Sequence, residues 1–199
     1  MPEPLAIPLA LAGVSHHTAD IATLEAFRFP DEAAFLREAR ERFRGALLLQ
    51  TCNRVEVLVQ GDARSLEAFL QEKGRHGFTA IEGEAVPHHL LELAAGIDSL
   101  VVGEDQILGQ LKQALAIAEE AGAANSVISL CVNKAVHVGV RVRRQTQINR
   151  GAVSVGSAAV TLAENLLGTL SNRHILVVGS GEMGILVTQA LAAKGLTAI

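Results

Sequence analysis

Hydrophobic residues follow two rhythms along this chain, and the change falls near Pro87. Before it, short apolar runs alternate with amphipathic stretches. Leu5 to Val14 is mostly apolar and predicts a first strand despite Pro8, after which Gly13-Val14-Ser15-His16-His17-Thr18 reads as a loop. Pro30-Asp31-Glu32 predicts a helix start, with Asp31 able to cap and Ala34, Phe35, Ala39 and Phe43 returning at helical spacing up to Gly45. Ala46–Gln50 and Val55–Gln60 predict two strands, Asp62–Gln71 a second helix and Phe78–Ile81 one more strand. Val55, Val57 and Val59 share a face, because successive strand side chains point to opposite sides. Arg54 and Glu56 fall on the other face, which reads as solvated, or as a clamp in which the planar fork of Arg54 grips a carboxylate. The order strand, helix, two strands, helix, strand predicts an α+β domain with a ferredoxin-like antiparallel sheet and added helices.

After Pro87 the spacing is helical. Pro87–Ala95 predicts a short helix closed by Gly96. Asp105–Ala121 predicts a longer one, with Ile107, Leu111 and Leu115 on one stripe and Gln106, Gln110 and Gln113 on a neighbouring stripe. Asn125–Gln147 and Ala152–Leu170 predict two more, the last carrying the chain toward a second domain. There Ile175-Leu176-Val177-Val178 reads as a strand, followed by Gly179-Ser180-Gly181-Glu182-Met183-Gly184 and an amphipathic segment, Ile185 to Lys194. A GxGxxG string is weak alone, but strand before and helix after is the context in which glycines allow a tight turn and helix N–H groups meet a pyrophosphate. The residue that selects NAD or NADP belongs about 20 positions on, where the chain stops. Leu196-Thr197-Ala198-Ile199 reads as the start of another strand. One strand and one helix do not complete a dinucleotide-binding α/β Rossmann sheet. The expectation is a fragment of a longer protein, with a first domain over residues 1–148, a helical linker over 149–171 and an incomplete Rossmann domain over 172–199.

Composition narrows the classes. Of the 199 residues, 49% are hydrophobic, enough for a real core in one or two domains. Trp and Tyr are absent, so the core is mainly aliphatic. A net charge of −4 leaves no bulk footprint for nucleic acid, only room for a local basic patch. The two cysteines, Cys52 and Cys131, are expected as reduced thiols of a cytoplasmic protein, since nothing marks secretion. No basic leader with a long apolar run begins the chain, and no membrane-length apolar stretch occurs.

The densest chemistry lies at Thr51-Cys52-Asn53-Arg54, a polar bend between two apolar strands. Cys52 reads either as a small buried hydrophobe or as a nucleophile held at a sheet edge, its thiolate favoured by nearby Arg54. Cys131, between Leu130 and Val132 on a helix, reads as core. His88-His89 open a short helix without a metal-ligand spacing around them. His89 reads as a surface or core residue, or as a general acid or orienting donor. Asp98, Ser99 and Glu104 read as caps and turn residues, while Glu104, Gln106 and Gln110 around one helix start suggest a polar binding wall. A thiol nucleophile and a dinucleotide loop in one chain point to an enzyme that traps an acyl group and then reduces it.

Together these strings resemble glutamyl-tRNA reductase, from about Gly13 to the end of the chain. The resemblance is carried by Gly13 to Ala19, Thr51-Cys52-Asn53-Arg54-Val55-Glu56, Gly96 to Gln110, Arg141-Val142-Arg143, Ala152-Val153-Ser154-Val155 and the glycine loop. It implies that Cys52 is the nucleophile and His89 a residue important for activity. Thr51, Asn53, Arg54, Ser99, Glu104, Asp105, Gln106 and Gln110 match substrate-binding positions. Gly179, Ser180, Gly181, Glu182, Met183 and Gly184 match the NADPH loop. It further implies a V-shaped homodimer built on a long spinal helix, and delivery of an unstable aldehyde to glutamate-1-semialdehyde aminotransferase. The expected reaction is NADPH-dependent reduction of glutamyl-tRNA to glutamate-1-semialdehyde through a Cys52 thioester, the first step toward 5-aminolevulinate and tetrapyrroles. This stretch alone is expected to lack full reductase turnover.

The resemblance is not uniform. Ala19-Asp20 and Leu24-Glu25 stand where the family usually has Ala-Pro and Arg-Glu, and Arg144-Gln145-Thr146 replaces a common Thr-Glu-Thr. Two other readings compete. One is a shikimate-dehydrogenase-like NADP oxidoreductase with an incidental thiol, which would form no covalent intermediate with glutamyl-tRNA. The other is a non-catalytic module that binds charged tRNA or a partner protein.

Overall fold

A computed structural model describes residues 7–99, 102–146, 148–149, 155–179 and 181–197. The chain divides into two compact units, one comprising Met1–Leu100 and Asp105–Gln147, the other Val101–Glu104 and Ile148–Ile199.

In the first unit the elements run β1 (Ala10–Ser15), α1 (Ile21–Phe27), α2 (Glu32–Arg42), β2 (Ala46–Gln50), β3 (Arg54–Val59), α3 (Ala63–Glu72), β4 (Thr79–Glu82), α4 (Ala85–Ala95), α5 (Gln106–Glu120) and α6 (Ser126–Thr146). The four strands form one antiparallel sheet in the order β2-β3-β1-β4, the order of a ferredoxin-like sheet. Asp31 and Asp62 cap α2 and α3 as their side chains accept from the N–H groups of Ala34 and Ser65. α2 packs on β2 and α3 on β1, burying Leu36, Leu66, Phe69 and Leu70.

Two features depart from the periodicity. The first is α1, a helix of seven residues that the spacing does not predict. Only Leu24 and Phe27 of it are buried, too few to set a helical rhythm, and it is held at its start by Asp20, whose side chain accepts from Thr23 N–H at 2.8 Å. The second is the face of β3 that carries Arg54 and Glu56. It is not solvated: Arg54 is 2% and Glu56 6% exposed, and all six residues of β3 are buried. His89 of α4 reaches Glu56, so α4, which packs with α5 and α6, lies over this face, while α2 and α3 pack on the neighbouring strands β2 and β1. Helices therefore cover both sides of the strand, and alternation alone cannot tell water from a second layer.

β1 and β3 approach closely at Gly13, which pairs with Glu56. A Cβ at Gly13 would lie 2.2 Å from the Val55 carbonyl oxygen and 2.8 Å from Glu56 Cα. Gly13 also leaves space beside Glu56, in a cavity of about 100 Å³ whose polar lining is Ser15, Glu56, Thr79 and His89.

The second unit contains α7 (Val155–Leu167) and α8 (Glu182–Ala193), packed around Val160, Leu170 and Leu191. The strand expected at Ile175–Val178 does not form: Ile175 makes a single bridge, and Leu176 and Val178 are 71% and 88% exposed. A strand exists only against a neighbour, and none lies beside it among the described residues. Leu196 and Thr197 are irregular as well; Ala198, Ile199 and the Ala152–Ser154 start of the expected fourth helix lie outside the described residues. No helix among the described residues is long and apolar enough to cross a membrane.

Gly13→Ala is expected to cost about 3 kcal/mol, because the added methyl meets the β3 backbone at Val55 and Glu56, which cannot give way as a flexible side chain would. Urea unfolding measures this, and an unchanged midpoint would mean that β1 and β3 stand further apart than described.

Candidate active site

The β2–β3 connection is a closed turn. Thr51 N–H donates to the Arg54 carbonyl at 2.9 Å, and the Asn53 carbonyl accepts from His16 N–H at 2.8 Å. The Thr51 hydroxyl accepts from the N–H groups of Asn53 and Arg54 at 3.1 and 3.2 Å, so a side chain replaces the partners that the turn denies its backbone. Thr51 is buried and Cys52 exposed. Cys131 contrasts with it: half-buried on α6 against the core, it has its thiol pKa pushed up by burial, which disfavours the reactive thiolate.

Beside the turn, five side chains form one polar chain. Arg54 Nη1 donates to Glu56 Oε1 at 2.9 Å and to Asp98 Oδ2 at 2.8 Å, and Nη2 donates to the Asp98 carbonyl. The same Glu56 Oε1 meets His89 Nε2 at 3.1 Å, and Asp98 Oδ1 meets His17 Nε2 at 2.9 Å. Glu56 Oε2 is buried with no hydrogen-bond partner among the described residues, as are Ser99 Oγ and His16 Nδ1. The cavity next to Glu56 has room for about three waters or a small polar group.

The charges explain one another. Burial works against a charged Arg54, yet Glu56 and Asp98 outweigh it and hold its pKa above the ordinary arginine value. Burial raises the Asp98 pKa, but Arg54 more than reverses this and holds the carboxyl below its usual range. Burial disfavours protonated His89, but the hydrogen bond and charge of Glu56 leave its pKa raised. His16 is lowered by burial and by the charges of His17 and Arg54, so it stays neutral where His89 holds its proton.

The structure brings Thr51, Cys52, Asn53, Arg54 and His89 to one end of the sheet with Glu56, Asp98 and His17. Gln110 lines a separate cavity of about 70 Å³ with Glu32, Gln50 and Gln113. Asp105 pairs with the buried Nε of Arg143 on α6 at 2.8 Å. Gln106 is the first residue of α5, and Glu104 belongs to the second unit. In the glycine loop, Gly179 has φ +114° and Gly181 caps α8. A Cβ at Gly184 would meet the Gly179 carbonyl oxygen at 2.5 Å. Met183 lies in the first turn of α8; Ser180 and the side chain of Glu182 lie outside the described residues. No cluster of His, Cys, Asp and Glu that could hold a metal occurs among the described residues.

Glu56, Asp98 and His17 were absent from the candidate site drawn from the sequence. Glu56 carried a signal, an acidic residue sharing a strand face with Arg54. Asp98 carried none, since an acid two residues past a helix-closing glycine is ordinary turn chemistry.

Because the folded-state pKa of His89 is raised above the ordinary 6.5, its contribution to stability is complete below that value and is lost as pH rises through the folded pKa. Glu56→Gln is expected to lower the His89 pKa and to shrink this loss. NMR titration of His89 and urea midpoints against pH measure both effects. An unmoved His89 titration would exclude Glu56 as the cause.

Comparison with known proteins identifies the family. The family model described as glutamyl-tRNA(Glu) reductase, N-terminal domain, matches residues 12–146. The glutamyl-tRNA reductase of Methanoculleus marisnigri is 87% identical over 199 residues, covering 100% of this chain and 47% of the relative. That of Methanoregula boonei is 69% identical over 190 residues, 96% of this chain and 45% of the relative. Among solved structures, glutamyl-tRNA reductase from Methanopyrus kandleri matches with a TM-score of 0.72 at 38% identity, covering 96% of this chain and 48% of that one. The chain spans about half the length of the curated relatives it matches. The hairpin with its exposed cysteine thus sits in a domain that matches one family over most of its length, and the chain belongs to the glutamyl-tRNA reductase family.

Proposed function

We propose that this chain carries the substrate-binding and acyl-transfer site of a glutamyl-tRNA reductase. The observation that supports this most directly is an exposed cysteine on a hydrogen-bonded turn, two residues from the buried Arg54 that joins Glu56, His89 and Asp98 in one network. Cys52 Sγ attacks the ester carbonyl carbon of glutamyl-tRNA. The new S–C bond forms, the C–O bond to the tRNA ribose breaks, and the ribose oxygen leaves with a proton. The glutamyl group is then a thioester on Cys52. Sulfur donates poorly into the carbonyl, so this carbon accepts hydride more readily than the ester did.

His89 holds its proton to higher pH than an ordinary histidine, which suits it to donate toward the oxygen that gains charge as sulfur adds. Arg54 is already occupied by two carboxylates. To grip the carboxylate of the glutamyl side chain it exchanges Asp98, the more exposed of the two, for that group. One negative charge replaces another, so the buried guanidinium is never left unmatched.

The glycine loop fits the pyrophosphate of a dinucleotide. Gly179 adopts a φ that favours glycine, the tight contact of Gly184 with the Gly179 carbonyl excludes a side chain, and α8 starts at Gly181 without a side-chain cap, leaving its first N–H groups for an anion. NADPH, when bound there, supplies the hydride that converts the acyl group to glutamate-1-semialdehyde. In this reading residues 1–148 form the catalytic domain, 149–171 the linker and 172–199 the beginning of the Rossmann domain. Family membership also supports a cytoplasmic homodimer that commits glutamate to 5-aminolevulinate and tetrapyrroles and hands its aldehyde to glutamate-1-semialdehyde aminotransferase.

Intact-mass spectrometry after acid quench is expected to find a glutamyl adduct on Cys52 following exposure to glutamyl-tRNA. Cys52→Ser is expected to slow acyl transfer by about three orders of magnitude or more. Transfer at the wild-type rate in that variant would end this mechanism.

A further inference from the structure

The link between α1 and α2 touches the nucleophile turn, and the chemistry above does not use it. Arg28, the C-terminal cap of α1, donates from Nη1 to the Thr51 carbonyl at 2.9 Å. That carbonyl belongs to the peptide joining Thr51 to Cys52. The next residue, Phe29, is clasped by Gln50 at the end of β2. Phe29 N–H donates to Gln50 Oε1 at 2.8 Å, and Gln50 Nε2 donates to the Phe29 carbonyl at 3.1 Å and to Glu32 Oε1 at 2.9 Å. One side-chain amide thus imitates a rung of a β-ladder. From behind, Arg75 donates to the carbonyls of Phe27 at 3.0 Å and Arg28 at 2.6 Å, and its guanidinium lies 4.6 Å from the centre of the Phe29 ring. The segment that delivers the Arg28 guanidinium is therefore held from two sides.

The charges around the turn single out the same residue. From β3, Arg54 is matched by Glu56 and Asp98, and Glu56 also engages His89 from α4. At the end of β1, His16 has a lowered pKa and stays neutral, while His17 pairs with Asp98. From α2, Glu32 is tied to Gln50. Arg28 has no carboxylate at ion-pair distance among the described residues. Among the described residues, it is the cation on this turn whose charge no carboxylate offsets.

The geometry points to Arg28 as a positioning residue for Cys52, delivered by the Gln50–Phe29 clasp. It fixes the orientation of the Thr51–Cys52 peptide and sets positive charge beside the forming thiolate, which a nearby cation favours. The inference deepens the proposed function, because it rests on Cys52 being the nucleophile.

The test uses the whole chain, with folding of each variant checked by circular dichroism and urea unfolding. One arm needs no tRNA: the rate of Cys52 alkylation by iodoacetamide against pH, read by peptide mass spectrometry with Cys131 as internal control. Arg28→Gln, which keeps a donor but removes the charge, is expected to slow alkylation of Cys52 near neutrality about three- to tenfold and to move its profile to higher pH. Cys131 should be unaffected, and Arg28→Lys should recover most of the rate. Gln50→Leu, which loosens the clasp without touching Arg28, should reproduce part of the loss.

The second arm is single-turnover acylation by glutamyl-tRNA. Here Arg28→Gln is expected to lower the rate about tenfold while changing the half-saturating concentration less than about twofold. If the wild type is not acylated, the proposed function fails, and the alkylation arm still judges Arg28. A folded Arg28→Gln with a wild-type alkylation profile overturns the inference even where the wild type is acylated. If Arg28→Gln does not fold, an unchanged profile in Gln50→Leu overturns it.

Discussion

A guanidinium buried in protein cannot be left alone, and much of this site follows from how Arg54 is matched. Removing a charge of this size from water costs several kcal/mol even after relaxation. Arg54 is almost wholly buried, so carboxylates must come to it. Glu56 does so from two positions along the same strand, and Asp98 from the segment after α4. Each then recruits a histidine, Glu56 holding His89 and Asp98 holding His17. The network ties the start of β3 to α4, to the loop after β1 and to the segment beyond α4. It is a means of bringing three distant stretches together more than a source of net stability, since buried ion pairs often only break even against a well-packed apolar core.

The hairpin turn exploits that anchoring. Arg54 is the first residue of β3, so fixing its side chain fixes the exit of the turn, while Gln50 fixes the entrance through Phe29. Between them the Thr51 hydroxyl satisfies two backbone N–H groups. Cys52 is exposed on a backbone with little freedom, which suits the nucleophile proposed for it, because attack geometry is lost if the attacking atom wanders by even about 1 Å. The small cavity lined by Glu56 and His89 exists because Gly13, paired with Glu56 across the strands, brings no side chain to the face they share.

Much of this was legible in the chain itself. The strand pair flanking Cys52, the caps at Asp31 and Asp62, the apolar stripe Ile107, Leu111 and Leu115, and the succession strand, helix, two strands, helix, strand all follow from local rules: period two for strands, 3.6 for helices and side-chain oxygens at helix starts. Cys131 packs against the core as its apolar neighbours imply. The strand expected at Ile175–Val178 was read by the same rules and did not form, because apolar residues alone do not make a strand without a partner to receive their hydrogen bonds.

What the amino-acid order determined by itself was local: where chain direction reverses, which residues share a face, and which short strings carry reactive groups. What only the tertiary structure decided was what each face meets. Alternation put Arg54 and Glu56 together, but α4 buried them. Turn chemistry explained Asp98, but its position 44 residues from Arg54 made it a counter-ion. Nothing local marked Arg28, whose neighbour at the turn lies 23 residues away. The physical reason is that secondary-structure periodicity reports the geometry of one segment, whereas the electrostatic environment of a side chain depends on every segment folded against it.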